Sequence, residues 1–294
     1  MDINLELYKV FYYVAKNLSF SKASKDLFIS QSAISQSIRT LENKLDTKLF
    51  VRSTKNVQLT PEGTLLFEHI EPAINLIHSG HLSLLENPSL SKGTLHIGAS
   101  DTICKYYLLE YINEFHKLFP KIKIQVTNRT STDCVKLLKQ NRVDFIVINL
   151  PSTSLDSDFN VQPTLSFEDV FICNSSFSHL ANKNLMLEEI ASSPILILEK
   201  TSATSRYLYD VFEKQNIRLT PDVELGSIDL LICLSRIGLG IAFVPKYCLG
   251  ESENDLIQLK LAQPLSSRQL AIVTQKQKPL NLASQKFIEL LSYN

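Results

Sequence analysis

The amino-terminal fold is decided by residues 19–45, which read SFSKASKDLFISQSAISQSIRTLENKL. Ser19 and Ser30 each stand directly before a helical pattern, where a serine side chain caps the first free amide groups. In the second pattern, apolar residues recur from Ile34 to Leu45 at steps of four, three and four, which places them on one helix face. The stretch therefore predicts two short helices joined by a turn.

A predicted β-hairpin follows this helix pair. Leu49–Arg52 and Val57–Leu59 flank the polar turn 53–56, and an earlier helical pattern begins near Leu5. Helices, a turn and a hairpin in this order are typical of a winged helix-turn-helix that binds DNA. A polar outer face alone does not indicate DNA binding, because any amphipathic helix has one. The prediction of DNA binding therefore rests on the order of helices, turn and hairpin taken together. Hydroxyl, amide and guanidinium groups capable of contacting bases or phosphates lie opposite the apolar stripe, at Ser32, Ser35, Gln36, Arg39 and Asn43.

The charge of the chain is unevenly distributed. The 294 residues contain 30 Lys and Arg and 30 Asp and Glu, a net charge of zero that by itself argues against a nucleic-acid partner. Residues 1–60, however, contain nine basic and five acidic side chains and carry +4, so that the remainder carries −4. A compact basic segment suits phosphate contact, because each neutralised phosphate releases counterions.

The next segments predict a linker and a second domain. Thr60-Pro61-Glu62 opens a long helix to about Glu86 whose apolar stripe needs a partner, and a second copy of the chain is the simplest one. A hinge at 87–93 precedes alternating strands and helices, which favour α/β units with parallel sheets. About 200 residues of this pattern fit two lobes with a cleft between them.

Three predicted strand-to-helix turns are rich in hydroxyl groups. They lie at 99–102, 128–132 and 199–204. Ligands of open α/β sheets bind beyond the carboxyl ends of the strands, near helix amino termini, so these turns could converge on a small anion or carboxylate. Each serine or threonine could equally be an ordinary helix cap. The Gly-containing stretch 237–241 is interpreted as close backbone packing without ligand contact.

Other classes of protein find little support. The sequence lacks G-x-S-x-G, H-E-x-x-H, Walker-type and G-x-G-x-x-G motifs, so we expect neither an enzyme nor a bound cofactor. Five cysteines without a Cys-x-x-Cys pair predict reduced, mostly buried thiols and no metal site. No long apolar run or signal-peptide pattern is present, which predicts a cytoplasmic protein without membrane contact.

The stretch from Phe11 to Gly63 resembles the amino-terminal domain of the LysR-type transcriptional regulators. Ser24, Ser32 and Asp46 depart from the residues usual in that family, and we expect Asp46 to occupy a left-handed turn. The residues that carry the resemblance are Ser19-Phe20-Ser21, Ala23, Leu27, Ser30-Gln31-Ser32-Ala33-Ile34-Ser35, Ile38, Leu41-Glu42, Leu49-Phe50, Arg52, Leu59-Thr60 and Gly63.

The resemblance implies an architecture and specific sites. It implies an all-α winged helix-turn-helix domain (1–60), a linker or dimerisation helix (61–86), a hinge (87–93) and a two-lobed, periplasmic-binding-protein-like α/β effector domain (94–294). Lobe 1 is expected at about 94–163 and 267–294, and lobe 2 at about 164–266. The DNA-binding residues would be Gln31, Ser32, Ser35, Gln36, Arg39, Arg52 and Lys55. The effector-binding residues would be Ser100, Thr102, Thr130, Ser131, Thr201, Ser202 and Thr204.

The resulting hypothesis is a sequence-specific regulator, activator or repressor, controlled by a co-inducer bound between the lobes. Its expected partners are double-stranded promoter DNA, the small-molecule effector, RNA polymerase and further copies of the chain in a homodimer or homotetramer. The alternative is a two-lobed solute-binding or catalytic protein whose amino-terminal helices only dimerise.

Overall fold

The computed structural model describes residues 3–52, 57–85, 93–250 and 255–292. The chain divides into two compact units, one formed by residues up to Leu85 with Lys139–Arg142 and the other by the remaining described residues. Lys55 and nearly all of the expected hinge lie outside the described residues, and only Gly93 of that hinge is described, at the start of a strand.

The first unit is a winged helix-turn-helix followed by a long helix. Its elements are α1 (Leu5–Asn17), α2 (Phe20–Leu27), α3 (Gln31–Leu45), β1 (Phe50–Arg52), β2 (Val57–Leu59) and α4 (Pro61–Leu85). The two strands pair antiparallel, with Phe50 opposite Leu59. The predicted helix pair, hairpin and long helix are therefore all present.

Both predicted serine caps form as expected. The Ser19 side chain accepts a hydrogen bond from the Lys22 amide, and Ser30 accepts one from Ala33 at 3.2 Å. Asp46 ends α3 with φ 49°, the left-handed conformation that the sequence predicted. An aspartate adopts this conformation at a cost that glycine avoids.

The second unit consists of two α/β lobes. The first lobe contains β3 (Gly93–Ala99), α5 (Asp101–Ile103), α6 (Leu109–Leu118), β4 (Ile122–Asn128), α7 (Ser131–Lys139), β5 (Phe145–Leu150), β6 (Phe159–Phe167), β13 (Arg268–Gln275) and α11 (Leu282–Ser292). A π-helical turn, Cys104–Leu108, joins α5 to α6. The sheet order is β4-β3-β5-β13-β6.

The second lobe lies in the chain between β6 and β13. It contains β7 (Asp169–Cys173), β8 (Asn184–Leu185), α8 (Leu187–Ala191), β9 (Ile195–Leu198), α9 (Ala203–Lys214), β10 (Val223–Leu225), α10 (Ile228–Arg236), β11 (Ile241–Pro245) and β12 (Ile257–Leu261). Two short 3₁₀ helices, Ser175–Leu180 and Lys246–Cys248, follow β7 and β11. The sheet order is β10-β9-β11-β7-β12-β8.

Two expectations about these lobes are wrong. The sheets are mixed rather than parallel, because β13 pairs antiparallel with β5 and β6, and β7 pairs antiparallel with β11 and β12. The first crossing between lobes lies at Glu168 rather than near Pro163, since β6 stays in the first sheet as far as Phe167. The second crossing lies at Ser267, directly before β13.

Buried apolar side chains form the core of each lobe. Leu95, Ile97, Phe145 and Phe287 are fully buried in the first lobe. Gly240 shows how tightly the second lobe is packed, since an added Cβ would lie 2.5 Å from the Pro194 carbonyl oxygen. The interpretation of stretch 237–241 as backbone packing is consistent with this contact.

The left-handed Asp46 gives a stability prediction. Asp46→Gly should raise the free energy of unfolding by about 0.5–1 kcal/mol, because glycine adopts positive φ without a Cβ clash. Asp46→Ala is the matched control, since it also removes the carboxylate but keeps the Cβ, and it should not stabilise. Urea denaturation of the full chain measures both, and an equal gain for alanine would contradict the backbone explanation.

Candidate DNA-binding surface and effector cleft

The apolar face of α3 fixes the helix in the first unit. Ile34, Ile38 and Leu41 have no exposed surface and pack in a cluster with Phe11 and Leu49. Burying side chains of this size contributes on the order of 1.5–3 kcal/mol each. The helix is therefore held in a single rotation about its axis, which determines the residues that it presents to solvent.

The opposite face of α3 is polar and accessible. Gln31, Ser32, Gln36 and Arg39 are exposed, while Ser35 is half-buried. The Ser32 hydroxyl lies 2.8 Å from that of Ser30, so it shares a hydrogen bond with the helix cap. Ser32, Ser35, Gln36 and Arg39 thus lie on the side of α3 away from the core, and Gln31 is exposed at the first position of the helix. A helix entering the major groove contacts base edges with its amino-terminal half.

The hairpin follows α3 closely in the chain. The Arg52 backbone ends β1 and pairs with Val57, whereas Lys55 lies outside the described residues. β1 begins five residues after α3 ends, so the hairpin and the exposed helix face belong to one continuous stretch of chain.

In the first lobe, the predicted effector residues lie where β3 and β4 end. Ser100 accepts a hydrogen bond from Ile103 as a helix cap, and Thr102 is half-buried. The Thr130 hydroxyl accepts from the Asp133 amide and donates to its carboxylate, and buried Ser131 accepts from the Asn149 amide at 3.5 Å. Ser100 and Thr130 therefore also serve as helix caps, whereas Ser131 bonds to strand β5.

The acidic side chain in this region is directed into a local network. The Asp101 carboxylate accepts from Asn128 Nδ2 at 3.1 Å, and Asn128 Oδ1 accepts from the Cys104 thiol at 3.3 Å. Burial and then the Asp101 charge raise the pKa of Cys104 to about 12, which keeps this thiol protonated. All five cysteines are free thiols, and Cys233 alone among them is exposed.

In the second lobe, the predicted residues surround the start of α9. Ser202 caps this helix by accepting from Ser205 at 3.0 Å, and Thr201 is exposed. Arg206, in the first turn of α9, donates to Thr132 of α7 at 3.1 Å across the gap between the lobes. The structure thus brings the hydroxyl turns of the two lobes to the same cleft.

Thr204 differs from the other predicted residues because it is buried and its hydroxyl accepts from Arg268 at 3.1 Å. Arg268 also donates twice to Asp169, at 2.5 and 2.7 Å, and both side chains are almost fully buried. Phe167 and Tyr207 place their rings 4.9 Å from the guanidinium carbon. Burial raises the pKa of the Asp169 carboxyl, and the hydrogen bonds and positive charge of Arg268 oppose that shift.

Sequence reasoning missed this buried cluster. Asp169 and Arg268 are the first residues after the two crossings between lobes, so their ion pair holds the two connecting segments together. The available signal was an arginine at the start of the apolar strand 268–273, which needs an acidic partner if it is buried.

A further bridge joins the lobes at another position. The Asp229 carboxylate, in the first turn of α10, accepts hydrogen bonds from Lys105 Nζ and from the Tyr106 hydroxyl. Both donors belong to the π-helical turn of the first lobe. The lobes are therefore joined at this bridge as well as at the Arg206–Thr132 contact and the buried pair.

Neither a metal centre nor a membrane span is found in the part of the chain that the structure describes. Within those residues, no group of three or more His, Cys, Asp and Glu side chains could hold a metal ion. None of the described helices has the length and apolar character needed to cross a membrane.

Comparison with known proteins gives the family. The family model described as bacterial regulatory helix-turn-helix protein, lysR family, matches residues 5–64. The family model described as LysR substrate binding domain matches residues 88–293. This chain belongs to the LysR family. It is a transcriptional regulator that binds DNA through its amino-terminal winged helix-turn-helix and a small-molecule effector through the two lobes.

Relatives match this LysR-type regulator over nearly its whole length. The HTH-type transcriptional regulator YfeR of Shigella flexneri is 28% identical over 97% of the chain and 92% of its own length. The HTH-type transcriptional activator CmpR of Synechocystis is 24% identical over 99% of this chain and 95% of its own length.

Solved structures share the fold. A full-length OxyR variant from Pseudomonas aeruginosa matches with TM-score 0.72 and 18% identity, over 100% of this chain and 94% of that chain. Full-length CbnR complexed with its target DNA matches with TM-score 0.67 and 16% identity, over 98% of this chain and 99% of that chain.

The buried pair gives a testable stability prediction for the regulator. Arg268→Met should lower the free energy of unfolding of the two-lobed unit by about 3–5 kcal/mol, since it leaves Asp169 buried and unpaired. Asp169→Leu combined with Arg268→Met should recover most of the loss, because no buried charge then remains. Calorimetry measures the unfolding of the unaltered protein, the single variant and the double variant. A double variant as unstable as the single one would contradict the explanation by an unpaired buried charge.

Proposed function

We propose that this LysR-type regulator recognises DNA through Gln31, Ser32, Ser35, Gln36 and Arg39 of α3, with Arg52 and Lys55 of the wing on the backbone or neighbouring minor groove. The observation that carries the proposal is the exposed polar face of α3, opposite an apolar face with no exposed surface. Because the helix cannot rotate without exposing that apolar face, the same polar groups always face outward. Their chemistry suits base edges and phosphates.

The regulator is proposed to act as a homodimer or homotetramer through α4. Early apolar residues of this helix, Leu66, Phe67 and Ile70, pack against the winged unit. Leu65, Leu76 and Ile77 are 60%, 44% and 65% exposed, which leaves apolar surface for a second copy of the helix. Two winged units would then read a pseudo-palindromic promoter site together.

The effector is proposed to be a small anion or carboxylate held by the hydroxyl turns. Ser100, Thr102, Thr130, Ser131, Thr201 and Ser202 stand at the starts of three helices, where amide groups and the helix dipole favour negative charge. The effector-binding domain of QuiR, which has 16% identity and TM-score 0.60, is known in complex with shikimate, a hydroxylated carboxylate. Thr204 remains a weaker candidate because its side chain is buried against Arg268.

Regulation would follow from a difference in effector affinity between arrangements of the lobes or subunits. An effector that favours one arrangement would change DNA bending and contact with RNA polymerase. We propose that this happens in the cytoplasm, where promoter DNA is accessible, and that the chain carries no catalytic activity. The alternative, a solute-binding or catalytic protein whose amino-terminal helices only dimerise, does not use the exposed polar face of α3.

The DNA-binding assignment predicts different effects at α3 and the wing. Gln36→Ala should lose about 1–3 kcal/mol on a selected binding sequence but little on random duplex, because an amide reads a base edge. Arg52→Ala should weaken binding to both duplexes alike and lower the salt slope by about one, because a guanidinium neutralises phosphate. Mobility-shift titrations at several KCl concentrations measure both, and equal losses for Gln36→Ala on the two duplexes would contradict base reading.

The effector assignment is tested by a thermal-shift screen of metabolite carboxylates and inorganic phosphate. Ser100→Ala and Thr102→Ala should abolish the stabilisation given by a compound that raises the unfolding temperature of the unaltered protein. Asn281→Ala is the matched control, since it removes a cap in the same lobe, where Asn281 accepts from Ser284 at 2.8 Å. DNA binding should persist in all three variants, and an unchanged ligand shift in the Ser100 and Thr102 variants would contradict the assignment.

A further inference from the structure

A buried carboxylate lies on the inner side of α3. Glu42 of α3 is 4% exposed, next to the fully buried Leu41. A glutamate is seldom buried to this extent unless its charge is compensated. The partners of Glu42 therefore indicate what its carboxylate does in the winged unit.

The carboxylate binds the entrance of the wing. Its Oε1 accepts hydrogen bonds from the backbone amides of Leu49, at 2.9 Å, and Phe50, at 3.4 Å. Its Oε2 lies 3.3 Å from the ammonium of Lys48, which is largely exposed. Hydrogen bonds to an ionised acceptor are roughly twice as strong as neutral ones, so the two amides contribute the main attachment and the exposed lysine contributes little.

Thr60 holds the same segment from its other side. The Thr60 amide donates to the Leu49 carbonyl at 3.1 Å, and its hydroxyl donates to the Lys48 carbonyl at 2.7 Å. That hydroxyl also accepts from the amide of Gly63 in α4 at 2.9 Å. The segment 48–50 is thus attached by its amides to α3 and by its carbonyls to the start of α4.

We propose that Glu42 is a positioning residue for DNA recognition, which fixes the wing relative to α3 so that both contact one duplex together. This inference rests on the proposed DNA-binding roles of α3 and the wing. A leucine would fill similar space but would leave the Leu49 and Phe50 amides without their acceptor. The wing could then shift away from the phosphates while α3 still entered the groove.

Three variants of the full-length protein separate positioning from charge. Glu42→Gln keeps an oxygen that can accept from both amides, and it loses the Lys48 ion pair together with the charge that strengthens the two amide bonds. Glu42→Leu removes the acceptor. Lys48→Ala removes the exposed ion-pair partner and should behave like Glu42→Gln. Circular dichroism and thermal unfolding establish that each variant is folded at the assay temperature.

The decisive measurement is affinity for a selected duplex as a function of KCl. Glu42→Leu should bind about 10–100-fold more weakly, and its slope of log affinity against log salt should fall by about two, because Arg52 and Lys55 no longer neutralise phosphates. Its preference for the selected over random duplex should persist, since α3 still reads bases. Glu42→Gln and Lys48→Ala should stay within about threefold of the unaltered protein, with an unchanged slope.

Several outcomes would overturn the proposal. An unchanged slope in folded Glu42→Leu would show that the carboxylate does not position the wing. An equal loss in Glu42→Gln would make its charge, rather than its placement of the amides, the important property. If Glu42→Leu is unfolded, Thr60→Val serves instead, because it removes the hydroxyl attachment of the same segment on its other side. An unchanged slope there would show that the attachment of segment 48–50 does not determine the placement of the wing, which also overturns the proposal. If the unaltered protein shows no sequence preference, the DNA-reading assignment of α3 fails, whatever the variants do.

Discussion

The two-lobed unit depends on the buried ion pair between Asp169 and Arg268. The chain passes between the lobes at Glu168 and Ser267, and the residue after each passage supplies one partner of the pair. An unpaired charge in this place would cost several kcal/mol, so the two passages are stable only when they lie side by side. The aromatic rings of Phe167 and Tyr207 surround the guanidinium and exclude water from the pair. The junction between the two lobes is consequently held in place by this pair.

The start of α9 connects this buried pair to the proposed effector position. Thr204 bonds to Arg268, Ser202 caps the helix toward the cleft, and Arg206 reaches Thr132 in the other lobe. Within five residues, the first turn of this helix therefore touches the buried pair, the proposed effector position and the opposite lobe. A small molecule bound at Ser202 would act on a segment that already contacts both lobes.

Local patterns in the sequence predicted the elements whose structure depends on near neighbours. The step pattern from Ile34, the caps at Ser19 and Ser30 and the left-handed Asp46 each depend on a few adjacent residues, and all are confirmed. β6 has no regular strand pattern in the sequence, because it is an edge strand that contains Pro163 and exposes several residues. It forms through its pairing with β13. The mixed sheets were missed for the same reason, since strand direction depends on where a distant segment returns. The Asp169–Arg268 pair joins residues 99 positions apart, so the arginine at the start of an apolar strand indicates that an acidic partner is needed but not which residue supplies it.

The place of β13 in the first sheet affects the order in which the protein can fold during synthesis. β13 lies between β5 and β6, and it supplies the pairing that β6 makes in that sheet, yet it is the last strand along the chain. A ribosome releases all strands of the second lobe, from β7 to β12, before it reaches Arg268. The second lobe can therefore assemble while the first is still an incomplete sheet with an open edge at β5. The nascent regulator thus passes through a stage in which its nested lobe is complete and its outer lobe presents an unpaired strand to chaperones.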